Sequence, residues 1–242
     1  MVKKGGPVVG GSNGRGSPGH VDRHGYESSE GSKLLQGSAY AVVLTAFWYG
    51  LVIKGKLYRD PVGALVESAP ALVLIQILYS IFGGLASRSP TSKRGSKKTK
   101  SRSDGESFGT LATTAILASI LSGIMSVLVF ALLILFGAPA TTYLGETFLC
   151  ALHISVLSVQ PLVFVYNLDS NIWKDIISVN LPLNGVYGAS VGTWLGAWLG
   201  AIVIPLDWDR PWQRWPLPIV GGAYLGTAIG TIVGVVVKKV RT

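Results

Sequence analysis

The sequence predicts an all-α, polytopic membrane protein with about six transmembrane helices, the last two forming a glycine-faced hairpin. Three observations carry that expectation. Of 242 residues, 14% are charged and 49% hydrophobic, and the mean hydropathy is +0.46, a composition suited to lipid rather than water. The apolar residues gather into runs long enough to cross a bilayer, separated by polar, proline-rich or basic segments. Near the C-terminus, one four-residue pattern is written twice.

That pattern organises the chain. Gly188, Gly192, Gly196 and Gly200 each open a block of the first run; Gly222, Gly226, Gly230 and Gly234 punctuate the second. With 3.6 residues per turn, positions four apart fall on nearly one face, so each helix carries a glycine stripe opposite bulky residues. In water each interior glycine would cost about 0.8–1 kcal/mol relative to alanine. In a bilayer the helix persists for want of any other backbone partner, and glycine lets two backbones approach. The two helices are expected to pack along these stripes, crossed because a period of four drifts around the helix.

The elements follow in order. Residues 1–33 are rich in Gly, Ser, Pro and basic residues and form a disordered tail with nothing to bury; His20 and His24 would make a poor metal site there. No hydrophobic run stands near the start, as a signal peptide would require. The membrane domain spans 34–237. Its first span is Leu34–Ile53 and its second about Val62–Ala86, with Glu67 and Pro70 expected to make the first turns irregular. Residues 87–107, which hold Lys93-Arg94 and Lys97-Lys98, form a basic, flexible loop. The third span, about Gly109–Phe136, is the longest and most apolar. The fourth, about Thr142–Val165, carries Glu146, Cys150, His153 and Gln160 at spacings that share one face, a polar seam that must point inward or at a partner. Asp169, Ser170 and Asn171 then suit the N-terminus of a short interfacial helix. Spans five and six follow, and 238–242 is a basic tail.

Between the glycine runs lies Pro205-Leu206-Asp207-Trp208-Asp209-Arg210-Pro211-Trp212-Gln213-Arg214-Trp215-Pro216. Proline breaks helices and tryptophan favours the membrane boundary, so this is an interfacial loop. Six spans put both termini on one side. Sixteen of the 21 Lys and Arg residues then fall on the side of the termini, which the positive-inside rule places in the cytoplasm. The Trp-rich loop faces the lumen or exterior.

The net charge of +9 sits in tails and one loop beside apolar spans, where it sets topology and favours anionic lipid rather than nucleic acid. The single cysteine excludes an intrachain disulfide and a cysteine-rich zinc site. Three functional classes remain. An assembly subunit would use the hairpin and the seam to hold a partner's helices. A membrane-embedded enzyme acting on a lipid headgroup would draw on Asp207 and Asp209, supported by Glu146 and His153, but two carboxylates without neighbouring ligands make a meagre metal site. A transporter or scramblase would read the two glycine runs as an inverted repeat, which the rest of the chain does not match.

The stretch Pro205–Gln213 with Trp215-Pro216, preceded by Gly196-Ala197-Trp198 and Gly200-Ala201, resembles the signature of the PIG-F family over about residues 184–237; upstream the likeness is one of hydropathy and span number. The resemblance implies a multi-pass protein of the endoplasmic reticulum membrane. It implies a non-catalytic, cofactor-free subunit that stabilises the ethanolamine-phosphate transferases of glycosylphosphatidylinositol (GPI) anchor biosynthesis, whose catalytic subunits carry the chemistry in a lumenal domain. Asp207, Trp208, Asp209, Arg210, Pro211 and Trp212 would then face partner or lipid.

Overall fold

The computed structural model describes residues 23–53, 55–86, 108–206 and 210–241; among them the chain is helical, without a strand. The helices are α1 (Arg23–Ile53), α2 (Lys56–Arg59), α3 (Pro61–Ala86), α4 (Phe108–Leu135), α5 (Leu144–Tyr166), α6 (Ser170–Ile177), α7 (Gly185–Ile202) and α8 (Leu217–Arg241), with a 3-10 turn at Pro211–Gln213. Four helices are long and apolar enough to cross a membrane: Pro61–Leu85, Phe108–Leu135, Leu144–Tyr166 and Leu217–Val237. α1 and α7 fall outside that set. The 18 residues of α7 reach about 27 Å, close to the roughly 30 Å of a hydrocarbon core, and its five glycines dilute its hydropathy. The basic loop 87–107 and residues 1–22 of the expected tail lie outside the described residues. From Arg23 the backbone is helical, and the basic residues Lys238–Arg241 continue α8.

The centre of the bundle is α5, which carries His153 and Gln160 into its interior. Two-thirds of its membrane-length window (67%) is buried, against 22% for α4. In lipid, apolar side chains gain nothing by turning inward, so small and polar residues collect inside while branched ones face the acyl chains. α4 illustrates the outward half, with Leu117, Ile120, Ile124 and Val127 exposed and Ala115, Ala118, Ser122 and Ser126 buried. α3 and α4 flank α5 on one side, α7 and α8 on the other, and α1 lies against α8. The core joins Leu44 of α1, Leu65 and Leu72 of α3, Ile154 and Leu157 of α5, and Val220 and Tyr224 of α8.

Several buried serine and threonine hydroxyls spend their protons on the preceding turn of their own helix, as lipid favours. Ser158 donates to the Ile154 carbonyl, Thr227 to Ala223 and Thr231 to Thr227, each at 2.7 Å. α3 runs unbroken through Glu67 and Pro70 where an irregular start was expected. Proline leaves a carbonyl one turn back without its partner, and a bundle can absorb this by supplying side-chain donors nearby. The Leu65 carbonyl, beside that gap, accepts from Ser68 Oγ at 3.0 Å and from His153 Nε2 at 3.2 Å. α6 is capped by Asp169, whose carboxylate accepts from Asn171 N at 2.9 Å.

Candidate functional site: a helix seam, a buried polar network and a tied loop

α7 and α8 run antiparallel with one register along their whole contact. Gly188 faces Gly230, Gly192 faces Gly226, Gly196 faces Gly222, Gly200 faces Pro218, and Asn184 faces Gly234. Every facing pair sums to the same number, so the helices neither slip nor part. A single crossing would touch over only a few residues. A stripe of period four winds around a 3.6-residue helix in the right-handed sense, and two helices can follow such stripes throughout if they wrap about each other. Each glycine points an α-hydrogen at a carbonyl opposite. A methyl built on Gly192 would overlap the Gly226 carbonyl oxygen and lie 2.9 Å from Gly230 Cα, and one on Gly226 would overlap Gly192 in return. Such Cα–H···O contacts, repeated along a seam, contribute about 0.5–1 kcal/mol each. Thr193 and Thr227 lie 2.8 Å apart across the seam, a side-chain hydrogen bond that joins the two helices.

The second feature surrounds α5. His153 is fully buried, with Nδ1 3.0 Å from Tyr224 Oη on α8 and Nε2 3.2 Å from the Leu65 carbonyl on α3. A carbonyl can only accept, so Nε2 carries the proton and Nδ1 accepts from the tyrosine hydroxyl. The ring thereby ties three helices. One turn deeper, Tyr40 of α1 donates to Gln76 Oε1 at 3.0 Å, and Gln76 Nε2 donates to the Val156 carbonyl at 3.2 Å. Gln160 donates to Ser80 Oγ at 3.1 Å, while its Oε1 has no partner. Aromatic stacking braces the same region, Tyr40 on Tyr79 at 3.9 Å and Trp48 on Tyr224 at 5.1 Å between centroids.

His153 and Gln160 of the seam thus meet other helices. Glu146 does not join them: it lies two turns before His153, about 10 Å along the axis, half-buried in the first turn of α5, where a carboxylate is favoured by the helix dipole. Tyr40, Gln76, Ser80 and Tyr224 were not singled out from the sequence, although a lone glutamine within the apolar run 62–86 was a signal for one of them.

The third feature is the loop before α8. Asp207, Trp208 and Asp209 lie outside the described residues. From Arg210 onward, Gln213 holds the turn: its Oε1 accepts from Arg210 N at 3.1 Å, and its Nε2 donates to the Val203 carbonyl at 3.1 Å and also to that of Leu206. It closes the open C-terminal end of α7 while fixing the start of the 3-10 turn. Trp215 donates its indole N–H to Thr147 Oγ1 of α5 at 3.1 Å. Arg210, Pro211, Trp212 and Arg214 are left exposed. Among the described residues no group of three or more His, Cys, Asp or Glu is placed to hold a metal ion.

A helical membrane protein whose buried polar groups tie helix to helix, and whose turn before the last helix is laced to the bundle, is thereby defined. The chain belongs to the PIG-F family: the profile described as "GPI biosynthesis protein family Pig-F" matches residues 39–235. It is 41% identical over 191 residues to "Glycosylphosphatidylinositol anchor biosynthesis protein 11" of Yarrowia lipolytica, covering 79% of this chain and 78% of that one. The protein of the same description from Neurospora crassa is 37% identical, with 81% and 72% covered. A "PIGF/3-ketodihydrosphingosine reductase fusion protein" of Schizosaccharomyces pombe is 40% identical over half of this chain and 24% of its own length. No solved structure matches.

Proposed function

We propose that this protein is a non-catalytic membrane subunit of GPI-anchor biosynthesis that binds and stabilises ethanolamine-phosphate transferase catalytic subunits in the endoplasmic reticulum. All six long helices cross the membrane in this reading, with both termini cytoplasmic and the loop 205–216 lumenal. The glycine seam sets the hairpin, the polar network fixes α5 behind it, and the loop meets the partner through Asp207, Trp208, Asp209, Arg210, Pro211 and Trp212.

The observation that carries the proposal is the engagement of His153. Acid–base work on a lipid headgroup needs a ring nitrogen open to substrate, but both of its nitrogens are occupied by groups of neighbouring helices, and Glu146 lies two turns away. That favours a tie within a scaffold over a catalytic site. The exposed residues of a loop otherwise held by Gln213 and Trp215 suit an interface, since a preformed loop loses little entropy on binding. An isolated surface ion pair contributes only about 0–1 kcal/mol; buried against a partner, Trp and Arg become anchors.

The test is affinity purification of the full chain in mild detergent with the intermediates of anchor synthesis measured in the same cells. Arg210→Ala and Asp209→Ala should reduce transferase recovery severalfold while the chain itself still accumulates. If Asp207→Asn or Asp209→Asn instead abolishes ethanolamine-phosphate addition with the complex intact, the chain carries chemistry and the proposal fails.

A further inference from the structure

We infer that the segment from Leu168 to Val179, with α6 at its centre, is an in-plane anchor that lies in the headgroup layer of the bilayer and presses Leu168, Ile177 and Val179 into the acyl boundary. On α6, Ser170, Asn171, Lys174 and Asp175 fall on one side of the helix, and Ile172, Trp173, Ile176 and Ile177 on the other. Such a division suits a helix half in lipid and half in water. Leu168, Ile177 and Val179 are between 71% and 79% exposed, at least as bare as Leu117 and Ile124, which α4 turns outward.

The level of α6 places it at the membrane surface. α5 is long and apolar enough to cross the bilayer and ends at Tyr166. The three residues before α6 reach at most about 11 Å, against a headgroup layer of about 5–7 Å on each side of the hydrocarbon. Hydrogen bonds hold the helix closer than that limit. Trp173, on the apolar side, donates its indole N–H to the Asn167 carbonyl at 2.8 Å, so that side turns back toward the end of α5. The Ile176 carbonyl accepts from Tyr187 Oη, in the first turn of α7, at 3.2 Å. Asn184 Nδ2 donates to Tyr166 Oη at 2.7 Å, which keeps the end of α5 and the start of α7 at one level. Val165 is exposed in the last turn of α5, three residues before Leu168. The surface that α5 offers to lipid therefore continues into this segment.

Val179 supplies an independent reason. α6 ends in a Schellman turn, in which Asn180 N donates to the Asp175 carbonyl at 2.9 Å and Val179 N to that of Ile176 at 3.3 Å. The corner of such a turn is left-handed, and glycine or asparagine is usual there. Here it is a valine at φ 59°, a branched residue strained in that conformation, although an asparagine stands next in the chain. The valine side chain is too exposed for packing within the protein to offset the strain. The acyl boundary supplies the contact that the chain does not. Lys174 is balanced by its neighbour Asp175, so apolar contact rather than anionic lipid holds the segment.

The inference is independent of the partner reading above and is tested on the full chain alone. Cys150 is buried, so a thiol-reactive, environment-sensitive dye reports introduced cysteines. Leu168→Cys, Ile177→Cys and Val179→Cys sample the apolar side, and Asn171→Cys and Lys174→Cys the polar side, all at exposed positions. Each labelled chain is reconstituted into phosphatidylcholine vesicles. Phosphatidylcholine brominated near the headgroup end of its acyl chains should quench positions 168, 177 and 179 at least threefold more than 171 and 174. Aqueous iodide should give the opposite order. Iodide reaching all five positions alike would put the segment in water and overturn the inference. The same measurements on the complex recovered with transferase should keep this order. Shielding of 168, 177 and 179 there from both quenchers would show a protein surface covering them, and would overturn it as well.

Discussion

Replacing Gly192 by alanine adds one methyl group to a helix that faces its neighbour through bare backbone. That methyl would overlap the Gly226 carbonyl oxygen and lie 2.9 Å from both the Gly226 carbonyl carbon and Gly230 Cα. These are backbone atoms of a second helix, so no rotamer can move aside. The helices must part locally by on the order of 1 Å, and a gap of 0.5–1 Å forfeits a quarter to a half of each atom pair's attraction. If the seam around one glycine pair holds as many close pairs as a buried leucine, about 40–60 at 0.1–0.2 kcal/mol each, the loss is a few kcal/mol. Overpacking elsewhere costs about 1–3 kcal/mol, and the same range is expected here, with leucine worse than alanine. Because Gly192 and Gly226 are opposed, the separation forced by one methyl makes room for the other. The double substitution should therefore cost clearly less than the sum of the two singles.

Gly123 on α4 supplies the comparison, since a methyl there meets nothing within 4 Å. Gly123→Ala should be neutral or slightly stabilising, because alanine is the better helix former. The measurement is the thermal midpoint of the purified chain in mild detergent, followed by size-exclusion recovery, together with the amount accumulated in cells. Indistinguishable midpoints for Gly192→Ala, Gly196→Ala and Gly123→Ala would refute the account of the seam.

Tyr224→Phe removes the donor to His153 Nδ1 and leaves a buried acceptor unpaired, which by the values found for hydrogen bonds within membranes should cost about 0.6–1.7 kcal/mol in the same melting assay. His153→Phe should cost more, since it strands both the Tyr224 hydroxyl and a share of the Leu65 carbonyl. Gln213→Ala frees the Val203 and Leu206 carbonyls and the Arg210 N–H, so hydrogen exchange over 203–216 should quicken at least tenfold while exchange in mid-α5 is unchanged.

The legible part of this fold was the part written in repetition. The glycine runs named both stripes, and the facing register lies within them, because a period of four leaves little choice of face. Hydropathy likewise located α3, α4 and α5 to within a few residues, whereas α1 begins at Arg23, well before the expected Leu34. What the sequence did not show is which helix is central. Four polar residues on α5 indicated that its face must turn inward, yet the partners of His153 and Gln160 stand 71 to 88 residues away, at Tyr224 and Leu65 for the one and Ser80 for the other. No local periodicity encodes such pairings. Gln213 was hidden for another reason. Among three tryptophans and four charges an uncharged glutamine looks like filler, and its value lies in having one acceptor and one amino group with which to close two ends of a turn at once.

The loop and the bundle cannot be treated as separate parts when partner binding is measured. Gln213 hangs the turn from the Val203 and Leu206 carbonyls just beyond α7, and Trp215 fastens it to Thr147 at the start of α5. Any displacement of α7 along the glycine seam therefore moves one anchor of the loop relative to the other. A seam substitution that separates the helices by 1 Å is large enough to misplace hydrogen bonds whose useful range spans a few tenths of an ångström. It should weaken partner recovery even where the loop sequence is intact. Loss of binding in a glycine variant thus says nothing by itself about what the partner touches. Only exposed side chains without a structural bond to the bundle, Arg210 foremost among the described residues of the loop, can report contact with a partner rather than the geometry beneath it.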